Sequence, residues 1–194
     1  NKKVVKYLDL PIQHISSSVL KQMGRRTNKE AIINKIETLR AKVPGIALRT
    51  SLIVGFPGET DENFEELEKF LEEYKLENVG VFAYSQEEDT PAAKMEGQVD
   101  EKVKINRQKK LMALQRKVVK AQNQLKIGNI YDIIIDGNNG EYYTGRSYEM
   151  APEIDGLIYI KKEKSLNLGD IVKVKIHDVM EYDLIGEVLD EFSK

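Results

Sequence analysis

Leu48-Arg49-Thr50-Ser51-Leu52-Ile53-Val54-Gly55-Phe56-Pro57-Gly58-Glu59-Thr60 decides how the first part of the chain is read. The apolar and β-branched run from Ile46 to Val54 reads as a strand, and the glycine and proline punctuation behind it as a tight turn. Thr60 stands where a helix cap is needed, with Asp61 and Glu62 suited to the positive amino-terminal end of that helix. The helix then repeats Phe64, Leu67, Leu71 and Tyr74 at the spacing of one buried face. Strand, turn and amphipathic helix in this order make one βα unit, the building block of a parallel sheet.

Similar units lie on both sides. Val4 to Leu10 is a strand stopped by Pro11, and a short helix follows from the cap Ser16-Ser17-Ser18 with Val19, Leu20 and Met23 inside and Gly24 as its stop. Thr27 and Glu30 have the spacing of a capping box. They open a helix that buries Ile32, Ile33, Ile36, Leu39 and Val43 and closes at Pro44-Gly45. Val79 to Tyr84 is the third strand. Residues 99–126 form one long helix with Leu111, Leu114, Val118, Ala121 and Leu125 on its apolar side. Its other residues include nine Lys/Arg between Lys102 and Lys126, against Asp100 and Glu101. A solvated connecting helix is the plainer account of that face, and a nucleic-acid-facing helix is the sharper one.

From Gly128 the hydrophobic period changes to two. Strands are expected at 130–135, 141–148, 156–160, 170–176 and 184–189, with a hairpin turn at Gly137-Asn138-Asn139-Gly140 and another turn at Asn167-Leu168-Gly169-Asp170. Five short strands in so few residues point to a small OB-like barrel. The chain therefore reads as α/β followed by all-β, divided into 1–98, a connecting basic helix 99–126, and 127–194. Three parallel strands cannot close a barrel, and a parallel sheet needs both faces covered, so the α/β part reads as the tail of a larger protein.

Composition narrows the chemistry. The 194 residues contain no cysteine and two histidines, His14 and His177, which removes disulfides, thiolate metal sites, cysteine nucleophiles and His-rich metal centres. His177, on an expected strand of the small barrel, reads as structural. No run of 18 apolar residues exists and no signal-peptide core follows Asn1-Lys2-Lys3, so a cytoplasmic protein without a membrane span is expected. The net charge of −2 hides a split: residues 1–126 carry 23 Lys/Arg against 18 Asp/Glu (+5), and residues 127–194 carry 7 against 14 (−7). An EF-hand loop at Asp61 fails because Glu66 occupies the glycine position, and no phosphate-binding P-loop, nucleophile elbow or zincin motif occurs.

What is left lies at the carboxyl ends of the three strands, the face on which βα folds bind ligands. Gln13 and His14 offer neutral donors and acceptors behind the first strand. The Gly55–Thr60 turn permits close backbone approach and favours an anionic group, although a tight βα turn with a cap explains the same residues. Asp9, inside the first strand, pairs with a buried cation or serves strand packing.

At these loops the chain resembles a known family. Tyr7-Leu8-Asp9-Leu10-Pro11-Ile12-Gln13-His14, the Leu48–Thr60 stretch and Phe82-Ala83-Tyr84-Ser85 resemble the radical S-adenosylmethionine methylthiotransferases, and the region from about Lys126 to Leu189 resembles their TRAM domain, an OB-like barrel. The resemblance implies the C-terminal part of an open (β/α) radical-SAM barrel followed by TRAM. Gly145-Arg146-Ser147-Tyr148-Glu149-Met150-Ala151-Pro152-Glu153-Ile154-Asp155-Gly156 and His14 are most similar to the branch that modifies an aspartate of ribosomal small-subunit protein twelve. The family holds two 4Fe-4S clusters through cysteines that this chain lacks, so the chain alone is expected to be inactive.

By the same resemblance, the intact enzyme takes electrons from a donor and cleaves S-adenosylmethionine to a 5′-deoxyadenosyl radical. That radical removes hydrogen from the substrate β-carbon, and sulfur on the second cluster completes methylthiolation. Arg49 is the implied charged contact to the cofactor, since a guanidinium fits a carboxylate bidentately; an ion pair inside the barrel is its plainer role. Gln13, His14 and Ser51 add polar contacts, and Val54, Phe56 and Tyr84 add apolar ones. A barrel of charge −7 suits a basic ribosomal protein better than tRNA, which needs a cationic surface, although the 99–126 helix argues mildly for RNA. Arg146, Glu149, Glu153 and Asp155 form the expected substrate loop. A purely structural interaction fragment is the third reading, disfavoured by the three ligand-face loops.

Overall fold

The computed structural model describes residues 3–189, which form two compact units: Leu8–Val118, and the residues from Val119 onward together with those up to Tyr7. Strands β1 (Tyr7–Asp9, which begins at the edge of the Leu8–Val118 unit), β2 (Ala47–Val54) and β3 (Asn78–Ala83) form one sheet in the order β1-β2-β3. β2 and β3 pair in parallel from Arg49 opposite Asn78 to Val54 opposite Ala83, and Gln13 continues parallel pairing opposite Leu52. Helices α1 (Ser17–Gln22), α2 (Lys29–Lys42), α3 (Asp61–Tyr74) and α4 (Glu101–Gln124) complete the set.

Alternation along β2 sorts its residues between two faces. Leu48, Leu52 and Val54 are buried in a core with Ile32 and Ile36 of α2, Phe64, Leu67 and Leu71 of α3, and Leu111 of α4. Thr50 shares that face, and its hydroxyl stays satisfied by donating to the Leu10 carbonyl at 2.8 Å while accepting from the Ile12 amide at 3.2 Å. Buried polar groups need such partners. Arg49, Ser51 and Ile53 take the opposite face and are only partly buried.

Local starts and stops differ from expectation at four places. β1 is shorter than the apolar run, because Val4 and Val5 lie outside it and are exposed. The cap of α2 is Asn28, whose side chain accepts from the Ala31 amide at 2.9 Å, so the helix begins one residue after the Thr27 start expected from the Thr27/Glu30 spacing. The inward stripe of α4 is Lys104, Arg107, Leu111, Gln115 and Val118, while Ala121 and Leu125 are exposed. Two of the supposedly solvated cations therefore face the core. Asn138 belongs to β4, leaving Asn139-Gly140-Glu141 as the turn.

The second unit holds a closed barrel of β4 (Ile130–Asn138), β5 (Tyr142–Arg146), β6 (Ile158–Lys161), β7 (Ile171–Met180) and β8 (Asp183–Val188) in the order β4-β5-β6-β8-β7. Inward residues Ile133, Ile135, Tyr143, Ile158, Ile160, Val174, Ile176 and Leu184 fill it. Register shifts fall between Ile135 and Gly137 and between Ile176 and Asp178, where bulges bend the strands as a small barrel requires. Among the described residues no helix is long and apolar enough to cross a membrane.

Gly145 shows how tightly the barrel closes. A Cβ there would stand 2.5 Å from the Ile134 carbonyl oxygen and 2.7 Å from Ile133 Cγ2. Gly145→Ala is expected to cost about 1–3 kcal/mol by overpacking. Lys161→Ala, at an exposed position, should change stability by less than about 0.5 kcal/mol. Denaturant unfolding of the two variants measures the contrast.

Candidate functional site

The sheet face opposite the helices carries the polar residues of interest. Arg49, Ser51 and Ile53 stand opposite Asn78, Gly80 and Phe82 of β3, and Phe82 is 54% exposed. Arg49 Nε lies 3.6 Å from the Asp9 carboxylate, so the cation that one reading of Asp9 called for and the ion pair that one reading of Arg49 called for are the same contact. The guanidinium is 12% exposed and the carboxylate 53%, leaving Asp9 with a free approach from solvent. Gln13 joins this group through its backbone: its amide donates to the Ser51 carbonyl at 3.0 Å and its carbonyl accepts from the Ile53 amide at 2.7 Å. Its φ of +70° is in the left-handed region, uncommon for a residue with a Cβ.

Phe56 and Tyr84 meet just beyond the carboxyl ends of β2 and β3, edge to face with centroids 5.2 Å apart. The Tyr84 amide donates to the Val54 carbonyl at 2.9 Å. Val54 and His14 do not join the ligand face. The Val54 side chain is wholly buried in the helix-packed core, because it shares its face with Leu52. His14 is also wholly buried; its Nδ1 accepts from the Ser16 amide at 2.9 Å, and its Nε2 lies 3.5 Å from the Glu59 carboxylate.

Glu59 is the centre of a buried network that sequence reasoning missed. Its Oε2 accepts from the Gly55 amide at 2.8 Å, and its Oε1 accepts from Arg107 Nη1 at 2.7 Å. Arg107 Nη2 donates to Asp61 at 2.7 Å, and its guanidinium lies 5.5 Å from the Phe64 ring centroid. Three further turn amides are also taken: Gly58 donates to the Gly97 carbonyl, Glu59 to the Phe56 carbonyl, and Thr60 to the Asn63 side chain in a capping box. The anion held by the Gly-Phe-Pro-Gly-Glu-Thr turn is thus the protein's own carboxylate. Of the two readings of this turn, the capped βα turn is the one these hydrogen bonds favour.

Gly55 has a φ of +73°, and a Cβ there would overlap the stem of buried Lys104, whose ammonium lies 5.4 Å from the Tyr84 ring centroid. The signal for Lys104 and Arg107 was available as the backward extension of the Leu111–Gln115–Val118 spacing. A cationic groove of about 450 Å³, lined by Lys21, Arg25 and Arg26 with Ser17, Thr27 and Asn28, also went unread.

In the barrel loop the expected acidic contact surface is smaller than the sequence suggests. Glu149 lies 2.7 Å from Lys126, both side chains being mostly buried. Burial, and then the charge of Glu149, raise the Tyr131 phenol above its ordinary pKa against a hydrogen bond with Asn129. Asp155 accepts from the Ala151 amide at 2.7 Å and from the Tyr7 hydroxyl at 3.1 Å, so it organises the loop. Arg146 pairs with Asp136 at 2.8 Å. Of the three carboxylates only Glu153 is exposed. No group of three metal-ligating side chains occurs among the described residues.

Two substitutions separate these roles. Glu149→Lys places like charges together where access to water is restricted and is expected to destabilise the barrel by about 1–3 kcal/mol. Glu153→Lys should stay within about 0.5 kcal/mol of the parent. Thermal unfolding followed by circular dichroism distinguishes them.

Two regions of the chain match known families. Residues 1–71 match the Radical SAM superfamily and residues 127–189 match the TRAM domain. Over all 194 residues the chain is 57% identical to the ribosomal protein uS12 methylthiotransferase RimO of Clostridium botulinum strain Eklund 17B and 55% identical to that of Clostridium tetani. It is 57% identical to that of Clostridium perfringens. The chain spans 44%, 44% and 43% of the length of these three relatives. Both matched regions occur in this order, and the similarity to the uS12 methylthiotransferases runs over the whole chain.

Proposed function

We propose that this chain is part of an enzyme that adds a methylthio group to the β-carbon of an aspartate in the small-subunit ribosomal protein uS12. The observation that carries the reading is the uncovered face of the parallel sheet, with Gln13, Arg49 and Ser51 beside Asp9, in a chain similar throughout to uS12 methylthiotransferases. S-adenosylmethionine offers a carboxylate, an ammonium, ribose hydroxyls and an adenine ring, and the residues fit those groups. Arg49 suits the carboxylate, held in orientation by Asp9. The exposed Asp9 oxygens suit an ammonium or a ribose hydroxyl, Gln13 and Ser51 supply neutral contacts, and the Phe56–Tyr84 pair supplies an apolar wall for the base.

When bound, S-adenosylmethionine supplies the radical chemistry that activates the substrate carbon. The chain's own contribution is to bind, orient and exclude water. It has no cysteine, so its residues do not fit a 4Fe-4S cluster, and any cluster ligands belong to the remainder of the enzyme. An external electron donor and a cytoplasmic place of action follow from the same reading. The acidic barrel, at −7 over residues 127–194, favours a basic ribosomal protein over tRNA. The inward turn of Lys104 and Arg107 further weakens the tRNA alternative, since the α4 surface is less cationic than its sequence.

Arg49→Ala in the complete enzyme is expected to weaken S-adenosylmethionine binding about 10- to 100-fold, the worth of a charge-assisted hydrogen bond, with the fold retained. Unchanged binding overturns the cofactor role. Titration of the complete enzyme against uS12 and against a tRNA anticodon stem-loop at two salt concentrations tests the substrate. Tighter binding to uS12, weakening as salt rises, is expected; tighter binding to the RNA overturns the choice.

A further inference from the structure

We infer that Arg107, acting through the buried carboxylate of Glu59, is a positioning residue for the ligand face, fixing Gly55 on one side and, through His14, the left-handed Gln13 on the other. The inference rests on the cofactor reading above and adds to it a residue from α4, outside the matched radical SAM segment.

Three observations converge. Glu59 presents no side-chain surface to solvent, and its carboxylate joins different elements: it is hydrogen-bonded to the Gly55 amide at 2.8 Å through Oε2 and to Arg107 of α4 at 2.7 Å through Oε1, and Oε2 also lies 3.5 Å from His14 Nε2 without a hydrogen bond. His14 is the residue next to Gln13, and its ring is held from the other side by the Ser16 amide. Gln13 keeps a φ of +70° while both its backbone groups are bonded to β2, so its side chain is aimed by a conformation that ordinary residues avoid.

Stability alone does not explain such an arrangement. A buried ion pair is commonly matched or bettered by apolar residues of the same volume, so its retention calls for another role. Arg107 is well made for that role. Its planar fork spans Glu59 and Asp61 at once, a geometry that lysine cannot reproduce, and it packs on Phe64 of α3. The helix α4 thereby sets the height of the turn that carries Phe56, while buried Lys104 closes the space behind Gly55.

The test uses the complete enzyme and three variants: Arg107→Lys, Glu59→Gln, and the double variant Glu59→Met with Arg107→Met. In the double variant no buried charge is left unpaired, since Asp61 is 88% exposed, so thermal stability should stay near that of the parent, yet Gly55 loses its acceptor and His14 its neighbouring carboxylate. KM for S-adenosylmethionine is expected to rise about 10- to 100-fold in the double variant, as misplacement of a binding wall does. Amide hydrogen exchange should speed up at Gln13, His14, Gly55 and Phe56 and remain unchanged in the barrel. Arg107→Lys should recover part of the loss because it keeps one contact to Glu59, and Glu59→Gln should fall between Arg107→Lys and the double variant.

A purely structural role predicts instead that KM follows thermal stability and returns to the parent value in the double variant. That result, or unaltered exchange at Gln13 and Gly55, overturns the inference. If the parent enzyme fails to bind S-adenosylmethionine, the cofactor reading falls separately, and the exchange comparison still decides for or against the positioning role.

Discussion

A carboxylate with no access to water must be matched, and the Leu8–Val118 unit is arranged around that requirement at Glu59. An isolated buried charge is costly, so Glu59 is tolerated only because Arg107 and the Gly55 amide reach it at 2.7 and 2.8 Å. Those partners belong to different elements, α4 and the turn after β2, which the shared carboxylate ties together. The same requirement dictates glycine at position 55. The amide must point inward at a φ of +73° while Lys104 passes behind it, leaving no volume for a side chain. The position of α4 against the sheet and the shape of the turn after β2 are therefore one constraint seen from two ends.

The alternation of β2 explains which residues stand on the face beyond this network. Every second residue from Leu48 to Val54 is buried under helices, so Arg49, Ser51 and Ile53 must stand on the other side. This much was legible from the strand pattern, since period two needs no tertiary knowledge. Val54 was misplaced because its proximity in sequence to the turn outweighed its parity with Leu52. His14 was misplaced for a different reason: Gln13 takes a left-handed conformation, and the alternation that would have put its neighbour on a predictable side is broken there.

Polar residues were the least legible part of the fold. Lys104, Arg107 and Gln115 occupy core positions of α4, and a reading that assigns charged residues to solvent hides them. Their burial is intelligible only from their partners. Lys104 is paired with Glu101, Arg107 with Glu59 and Asp61, and Gln115 donates to the Leu76 carbonyl. The barrel, in contrast, was read almost strand for strand, because its inward residues are aliphatic and its turns carry Asn-Gly and Leu-Gly-Asp signals. Hydrophobic periodicity locates elements, but it does not report which ions are matched inside.

The same distinction governs how far charge counting can be pressed for substrate choice. A count of −7 treats each carboxylate of the barrel region as equally available. Glu149 is spent on Lys126, and Asp155 on the Ala151 amide and Tyr7. Asp136 is taken up by Arg146 and Asp132 by Lys173. Internal pairing removes both signs together, so it lowers the density of exposed charge without changing the net value. The long-range field that steers a basic partner depends on that net value, whereas the short-range fit depends on which carboxylates remain exposed. An acidic barrel with few free carboxylates in its loop is thus suited to attract a basic protein from a distance. Under the proposed uS12 substrate, recognition at contact would rely on shape and apolar surface, of which Ile154, 65% exposed beside Glu153, offers some in this loop.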